Sequence, residues 1–169
     1  LGYSLAKQGK NVLLIDANLL SPEMDQLIRF RDERGVKSAA TSPGDGLSDL
    51  MEENASNRLN PDTIKRIARK STVDHLFCVC GIYRMEDYEF YSTEGFVNII
   101  RTACAAYDMV IIGCSRFIFD EFTCVSLICA DLVMIPVIAN SIQFREFNRY
   151  TRFMSGRKHL DLKKLVFIG

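Results

Sequence analysis

The sequence has none of the long apolar runs, repeats or charge excess that mark membrane, fibrous or polyanion-binding proteins. No apolar run approaches the roughly 20 residues of a membrane-spanning helix, so we expect no membrane span. The 21 Lys and Arg residues balance 21 Asp and Glu residues, which excludes an overall electrostatic attraction to nucleic acid or anionic lipid. No internal repeat or low-complexity tract is visible. The pattern is that of a globular domain.

Cysteine and histidine are present without the spacings that would make them functional. The six cysteines show no C-x-x-C pair, and most lie in apolar stretches such as LFCVC and SLICADLVMIPV. This predicts small core residues in a reducing cytoplasm. Cys78 and Cys80 would share one strand face, but no second ligand pair is available for zinc. His75 and His159 are isolated, so no Cys/His or Ser/His catalytic set is expected.

Helical segments alternate along the chain with short strands that are apolar throughout. Strands apolar on both faces are typical of a parallel sheet covered by helices. The pattern predicts strands at residues 12–15, 75–80, 108–112, 132–137 and 165–168. We therefore predict an α/β fold, a three-layer sandwich with a mostly parallel sheet.

Capping residues predict where several helices begin. Ser21-Pro22-Glu23 has a serine N-cap, a proline in the first turn and an acid, followed by Met24, Leu27 and Ile28 as an apolar face. Further helix starts are predicted at Asn60-Pro61 and Ser92, and helices are predicted over residues 121–129 and 142–155. Residues 31–45 are expected to be a loop.

The chain has no initiator methionine and opens within a helical pattern, LGYSLAKQGK. We expect a single incomplete domain over residues 1–169, an interior piece of a longer protein.

The segment KNVLLIDANLLSP, residues 10–22, carries the most functional information. Its strand runs directly into Asp16 and Asn18, which places a carboxylate at the carboxyl end of a buried parallel strand, where open α/β sheets bind ligands. The later strand MVII has the same composition but ends in Gly113. This contrast predicts a nucleotide-site scaffold from which some catalytic groups have been lost.

Several segments, in order, resemble the MinD/ParA family of P-loop ATPases. LAKQGKNVLLIDANLLSP is similar to that family's first helix, second strand and acidic turn, and YDMVIIGCSRF to its Walker B strand. GLSDLM, ADLVMIPV and LVFIG resemble later segments in the same order. Within the family, DEFTCVSLICADLVMIPV is most similar to the CpaE/TadZ branch, linked to pilus assembly and polar localisation. The acidic turn also resembles bacterial tyrosine kinases.

The resemblance implies a P-loop NTPase-like fold, and ATP and Mg²⁺ as ligands of the full-length protein. It places Asp16 in the magnesium shell, and it puts Asn18 and Gly113 where the family has acids, one positioning the attacking water and one the Walker B acid. Losing both acids should slow hydrolysis heavily. The family's Gly-rich, lysine-bearing loop would lie upstream of Leu1, so this piece alone should bind nucleotide poorly.

Other residues have both a functional and a structural interpretation. Asp120 and Glu121 could replace the missing acid, although acids are also favoured at a helix start. Arg145, Arg149 and Arg152 recur at helical spacing and could contact DNA non-specifically, as in ParA relatives, or form a solvated face. The acidic, tyrosine-rich segment 83–91 is either a partner contact or a surface loop.

Three functions stay open at this point. The first is a homodimeric, nucleotide-responsive scaffold that places a pilus or secretion machine, with weak or no ATP hydrolysis. The second is an active partition-type ATPase or tyrosine-kinase-like enzyme, with Asp120 supplying the metal site. The third is an interaction module without nucleotide binding.

Overall fold

The computed structural model describes residues 1–31, 46–82, 91–137 and 141–168, without the side chains of residues 141–144. Residues 32–45 of the predicted loop and residues 83–90 of the tyrosine-rich segment therefore lie outside the described residues. The chain forms two compact units, Leu1–Ser115 and Arg116–Gly169.

Among the described residues, the first unit holds five helices and four strands. The helices are α1 (Gly2–Lys7), α2 (Met24–Leu27), α3 (Leu47–Ala55), α4 (Pro61–Ile67) and α5 (Thr93–Ala106). The strands are β1 (Val12–Ala17), β2 (Arg69–Lys70), β3 (Leu76–Val79) and β4 (Met109–Cys114).

The four strands form one sheet in the order β2-β3-β1-β4. β1 is central and runs parallel to both β3 and β4, while the two-residue strand β2 pairs antiparallel with β3. The register places Asp16 of β1 beside Gly113 of β4. Since β1, β3 and β4 run in one direction, their carboxyl ends lie at the same edge of the sheet.

Both faces of β1 are buried, as its uniformly apolar sequence predicts. Val12 and Leu14 pack with Ala6 of α1 on one face. Leu13 and Ile15 point to the other face, where they are fully buried. Helices α3 and α5 pack against the sheet, and the first unit's core also contains the fully buried Leu50, Phe96 and Ile99.

In its described part, the second unit contains two α-helices, a short 3₁₀ helix (Leu162–Lys164) and two parallel strands. The helices are α6 (Glu121–Cys129) and α7 (Ser141–Arg157), and the strands are β5 (Val133–Pro136) and β6 (Leu165–Ile168). Cys124, Met154 and Leu160 form its small core. The Lys164 ammonium donates to the carbonyls of Ile128 and Ala130 at 3.4 and 2.8 Å, which satisfies acceptors at the end of α6.

The α/β class and the mostly parallel sheet are confirmed, and so are the helix starts at Asn60 and Ser92. The Asn60 side chain accepts from two backbone N–H groups of α4, and Ser92 accepts from Gly95 N of α5. The helix start at Ser21 is wrong: α2 begins at Met24, runs only four residues and has no side-chain cap from Ser21. Its predicted apolar face is wrong as well, because Leu27 is 78% exposed.

Two further features differ from the sequence prediction. Strand β2 was not predicted, because two charged residues carry no strand pattern and pair only through their contact with β3. Of the cysteines predicted as core residues, Cys78, Cys80 and Cys124 are buried, whereas Cys104 and Cys129 are exposed.

Candidate functional site

The Asp16 carboxylate organises the carboxyl edge of the sheet. Asp16 is 2% exposed, and its Oδ2 accepts from the backbone N–H groups of Glu23 and Met24 at 2.8 and 2.9 Å. Its Oδ1 accepts from Asn18 N at 3.2 Å. Both oxygens therefore bind backbone amides, and the carboxylate holds the start of α2 in place of the serine cap that the sequence suggested.

Asn18 closes the turn that follows β1. Its side-chain Nδ2 donates to the Ser21 carbonyl at 2.7 Å. A carboxylate has no proton to donate there and would place negative charge against the carbonyl oxygen. The amide at this position thus has a structural reason, and it lies half-buried beside Asp16.

Gly81, which follows β3, permits the close approach of the turn after β1. A Cβ on Gly81 would lie 2.5 Å from Pro22 Cβ and 3.3 Å from Asp16 Cγ. Real Cβ atoms do not approach other heavy atoms to 2.5 Å, so a side chain here would displace the turn. The sequence analysis did not identify Gly81, because its importance comes from close contact with Asp16 and Pro22, which are distant in the sequence.

Gly113 leaves a notch that Met24 fills. A Cβ on Gly113 would lie 2.4 Å from Met24 Cε, so the methionine methyl group occupies the space where a side chain would begin. The position where the resemblance predicts an acid therefore has no carboxylate and is covered by an apolar group. Met24 was expected on a helix face, and nothing in the sequence signals this contact.

The first unit also contains two buried thiols, Cys78 and Cys80, and a buried carboxylate oxygen of Asp25. Hydrogen bonding to Cys80, together with burial, raises the pKa of the Cys78 thiol far above its usual range, so Cys78 stays protonated. Asp25 Oδ1 of α2 is buried and has no hydrogen-bond partner among the described residues. Asp25 was not singled out from the sequence, because its burial depends on where α2 lies.

Asp120 lies in the second unit, where it caps α6. Its Oδ2 accepts from Thr123 N at 2.9 Å, as expected for an acid at a helix start. Its Oδ1 is buried without a partner in the described part of the chain, as is the Thr123 hydroxyl oxygen. Asp120 therefore has one buried carboxylate oxygen without a hydrogen-bond partner among the described residues.

The described residues at the sheet edge do not supply a full set of magnesium ligands by themselves. Mg²⁺ requires several oxygen ligands in near-octahedral geometry. Asp16 already accepts backbone amides with both oxygens, and Gly113 offers no side chain. Across the described ranges, no group of three or more His, Cys, Asp or Glu side chains could hold a metal ion. The donor set expected from the resemblance is thus incomplete.

Three arginines of α7 lie at the surface. Arg145, Arg149 and Arg152 are exposed on α7, with no ion pair to any residue the structure describes. Within the same residues, no helix combines the length and the apolar character needed to cross a bilayer.

The fold is that of the ParA/MinD ATPases. The sequence matches no family model and no curated protein. The structure is similar to a ParA family ATPase from Chlorobium tepidum, with a TM-score of 0.72 and 18% identity over 99% of this chain and 65% of that one. It is similar to the septum site-determining protein MinD from Pyrococcus horikoshii, solved with Mg-ADP, with a TM-score of 0.62 and 14% identity over 99% and 59%.

A kinase domain shares the same architecture. The BceF tyrosine kinase domain matches with a TM-score of 0.60 and 17% identity over 99% of this chain and 60% of its own. The chain therefore spans less than two thirds of the length of these three structures. At such identities the similarity establishes the fold alone.

Proposed function

We propose that this chain is a degenerate MinD/ParA-like nucleotide-binding domain that acts as a localisation or assembly scaffold with weak or no ATP hydrolysis. The observation that carries the proposal is the pair of residues at the carboxyl ends of β1 and β4, Asp16 and Gly113. Gly113 supplies no acid, and Met24 fills its place. Asp16, its neighbour in β1, is held by three backbone amides.

Phosphoryl transfer depends on positioned charge, because the protein stabilises a transition state with charge spread over the phosphoryl oxygens. A site without the second strand-end acid lacks a group that would hold the metal there. Asn18 carries no negative charge, and its amide is committed to the Ser21 carbonyl. These features support a domain in which nucleotide binding is separated from hydrolysis.

In this proposal ATP is a structural ligand of the longer protein, whose phosphates would be bound by a Gly-rich, lysine-bearing loop upstream of Leu1. The nucleotide would favour a homodimer formed through the nucleotide face. The dimer would place a pilus, secretion or polar-localisation machine in the cytoplasm, as the resemblance to the CpaE/TadZ branch implies. Non-specific DNA binding by the α7 arginines stays a secondary prediction.

A calorimetric ATP titration with and without Mg²⁺ tests the proposal, on the protein extended upstream of Leu1 to include such a loop. We expect ATP to bind with an affinity that hardly depends on Mg²⁺, and to be hydrolysed far more slowly than by MinD relatives. The matched variant Gly113→Asp/Met24→Ala restores the acid and clears its space, so binding should become more dependent on Mg²⁺. Tight magnesium-dependent binding by the unaltered protein would contradict the proposal.

The second candidate is an active ATPase or tyrosine-kinase-like enzyme, and Asp120 Oδ1 is the observation that favours it. This buried oxygen has no partner among the described residues and could accept a ligand. Asp120→Asn keeps a capping oxygen for Thr123 N while removing the charge, so it should abolish hydrolysis if Asp120 holds the metal. Unchanged hydrolysis in that variant would remove this candidate. If the extended protein binds no ATP at all, the interaction module is the remaining function.

A further inference from the structure

A polar cavity lies between α3, α5 and the turn after α3, on residues that the candidate nucleotide site does not use. Its volume is about 270 Å³. The cavity is lined by Asn54, Asn57, Leu59, Asn98, Arg101 and Thr102. Three carboxamides, one guanidinium and one hydroxyl thus surround one leucine, and none of the lining residues is acidic.

The lining side chains retain hydrogen-bonding capacity. Asn98 Nδ2 donates to Asn54 Oδ1 at 3.4 Å, a long bond that joins α3 to α5. The Thr102 hydroxyl donates to the Asn98 carbonyl at 2.8 Å, and its oxygen keeps its capacity to accept a hydrogen bond. The Asn57 side chain makes no hydrogen bond to any residue the structure describes. The cavity therefore offers both donors and acceptors to a ligand.

Arg101 gives the cavity a positive charge. Its guanidinium has no ion pair or hydrogen bond within the described ranges, whereas the arginines nearby do: Glu53 binds both Arg58 at 2.8 Å and Arg66 at 3.0 Å. A helix ends at this cavity, and exposed carbonyls there would disfavour an anion. Three of the last four carbonyls of α3 are already occupied, because those of Glu52, Glu53 and Asn54 accept backbone N–H groups of the following turn.

We propose that this cavity binds the C-terminal carboxylate of a partner protein, with Arg101 holding the carboxylate and the carboxamides holding the last peptide group. A planar guanidinium matches a carboxylate in a two-bond fork. An asparagine side chain carries the same donor and acceptor pair as a peptide group and can bind it in the same way. Leu59 provides an apolar wall for a terminal side chain, and the volume suits one or two residues.

A peptide terminus fits these groups better than inorganic phosphate does. Phosphate would use Arg101 but would leave the carboxamide acceptors facing oxygen atoms that carry few or no protons. A peptide terminus uses donors and acceptors together, since each peptide group supplies one of each. This inference does not depend on nucleotide binding, so the two proposals fail independently.

The experiment titrates the full chain with N-acetyl-Ala-Leu, which carries a free carboxylate, and with its C-terminal amide. Two-dimensional NMR of the side-chain NH₂ groups of Asn54, Asn57 and Asn98 reports occupation of the cavity. We expect saturable shifts from the acid and binding at least about tenfold weaker from the amide, because hydrogen bonds to charged groups are the stronger kind. Equal binding of acid and amide, or no shift from either, would overturn the proposal.

Variants of Arg101 test whether its positive charge is needed to bind the peptide carboxylate. Arg101→Gln should weaken the acid about tenfold or more, and Arg101→Lys should lose less because it keeps the charge without the fork. Arg149→Gln on α7 is the matched control and should leave the shifts unchanged. Inorganic phosphate should bind more weakly than the peptide acid; if it binds as tightly, the cavity is a general anion site and the proposal is wrong. The Arg101→Lys titration keeps the test valid if Arg101→Gln does not fold.

Discussion

Strands β1 and β4 have nearly the same apolar composition and pair in register over their full length, yet they differ in burial and in how they end. β1 is paired on both sides, and five of its six residues are buried. β4 is paired on one side among the described strands, and none of its residues is fully buried. At the fifth position β1 carries Asp16, whereas β4 carries Gly113.

The comparison shows that the acid at the end of β1 has a structural role, whereas the residue paired with it in β4 has no side chain. Asp16 binds the backbone of the turn and of α2, so its removal would disturb the chain whether or not a nucleotide binds. Gly113 has no such bonds, and an apolar methyl group covers it. The presence of Asp16 is therefore weak evidence for catalysis, and the proposal of weak or no hydrolysis depends on Gly113 instead.

The largest effect is expected for Asp16→Ala. It removes the acceptor of three backbone N–H groups, which stay partly buried without partners. We expect a loss of about 3 kcal/mol or more in the free energy of unfolding, because each unsatisfied buried donor costs about 1–3 kcal/mol. Urea denaturation followed by circular dichroism measures it.

Asp16→Asn separates the hydrogen bonds from the charge. The amide keeps one acceptor oxygen and replaces the other with a donor that faces backbone N–H groups. The loss should be smaller than that of Asp16→Ala and still above about 1 kcal/mol. If Asp16→Ala cost less than about 1 kcal/mol, the structural role assigned to this carboxylate would be wrong.

A smaller effect is expected for Gly81→Ala, which tests whether the turn held by Asp16 depends on β3 as well as β1. The added Cβ would meet Pro22 Cβ at 2.5 Å, and neither atom belongs to a flexible side-chain end. We expect a destabilisation of about 2 kcal/mol, within the range for overpacking of a close contact. Gly156→Ala in α7 is the matched control, because its Cβ would meet nothing within 4 Å.

The control should change stability in the opposite direction. Alanine is favoured over glycine by about 0.5–1 kcal/mol in a helix interior and by less in a last turn, where Gly156 lies, so Gly156→Ala should stabilise the protein slightly. If Gly81→Ala stabilised the protein, the turn after β1 would not be in close contact with the residue that follows β3.

Gly113→Ala should cost less than Gly81→Ala, since the contacting atom is the end of a flexible methionine. We expect a loss of about 1 kcal/mol that disappears in the Met24→Ala background, where the notch is open. A double-mutant cycle on the free energy of unfolding measures the coupling. Additive effects of the two substitutions would mean that Met24 does not fill the notch in solution.

The sequence predicted the elements whose causes are local. Helix α6 was predicted with the bounds it has, because Asp120 caps its start and the apolar run continues to Cys129. The parallel sheet followed from strands that are apolar on both faces. The identities of the residues at the β1 and β4 ends could also be read directly, which located Asp16, Asn18 and Gly113 at one edge.

The errors lie where a distant residue overrides a local signal. Ser21-Pro22 is a good helix start by itself, but the Asp16 carboxylate binds the N–H groups of Glu23 and Met24 and moves the start. The Met24 contact with Gly113 joins residues that are far apart in the chain. Neither could be predicted from spacing, since both depend on how the turn after β1 folds over the sheet edge.

The smallest effect is expected at a carboxylate that binds side chains at the surface, in contrast to Asp16, which binds buried backbone. Glu53 pairs with Arg58 Nε at 2.8 Å and Arg66 Nη2 at 3.0 Å. Its hydrogen bond to Arg58, together with the Arg66 guanidinium, lowers the pKa of Glu53 below its ordinary value of 4.5. Because the pKa of Glu53 is lowered in the folded state, this stabilisation is present above the pKa of the unfolded chain and is lost as pH falls through the folded value.

Glu53→Gln should therefore reduce stability slightly at pH 7 and flatten the dependence of stability on pH below 4.5, as measured by urea denaturation at a series of pH values. If the variant and the unaltered protein showed the same dependence of stability on pH, the ion pairs of Glu53 would not form in solution. Glu53 and Asp16 would then differ in burial alone.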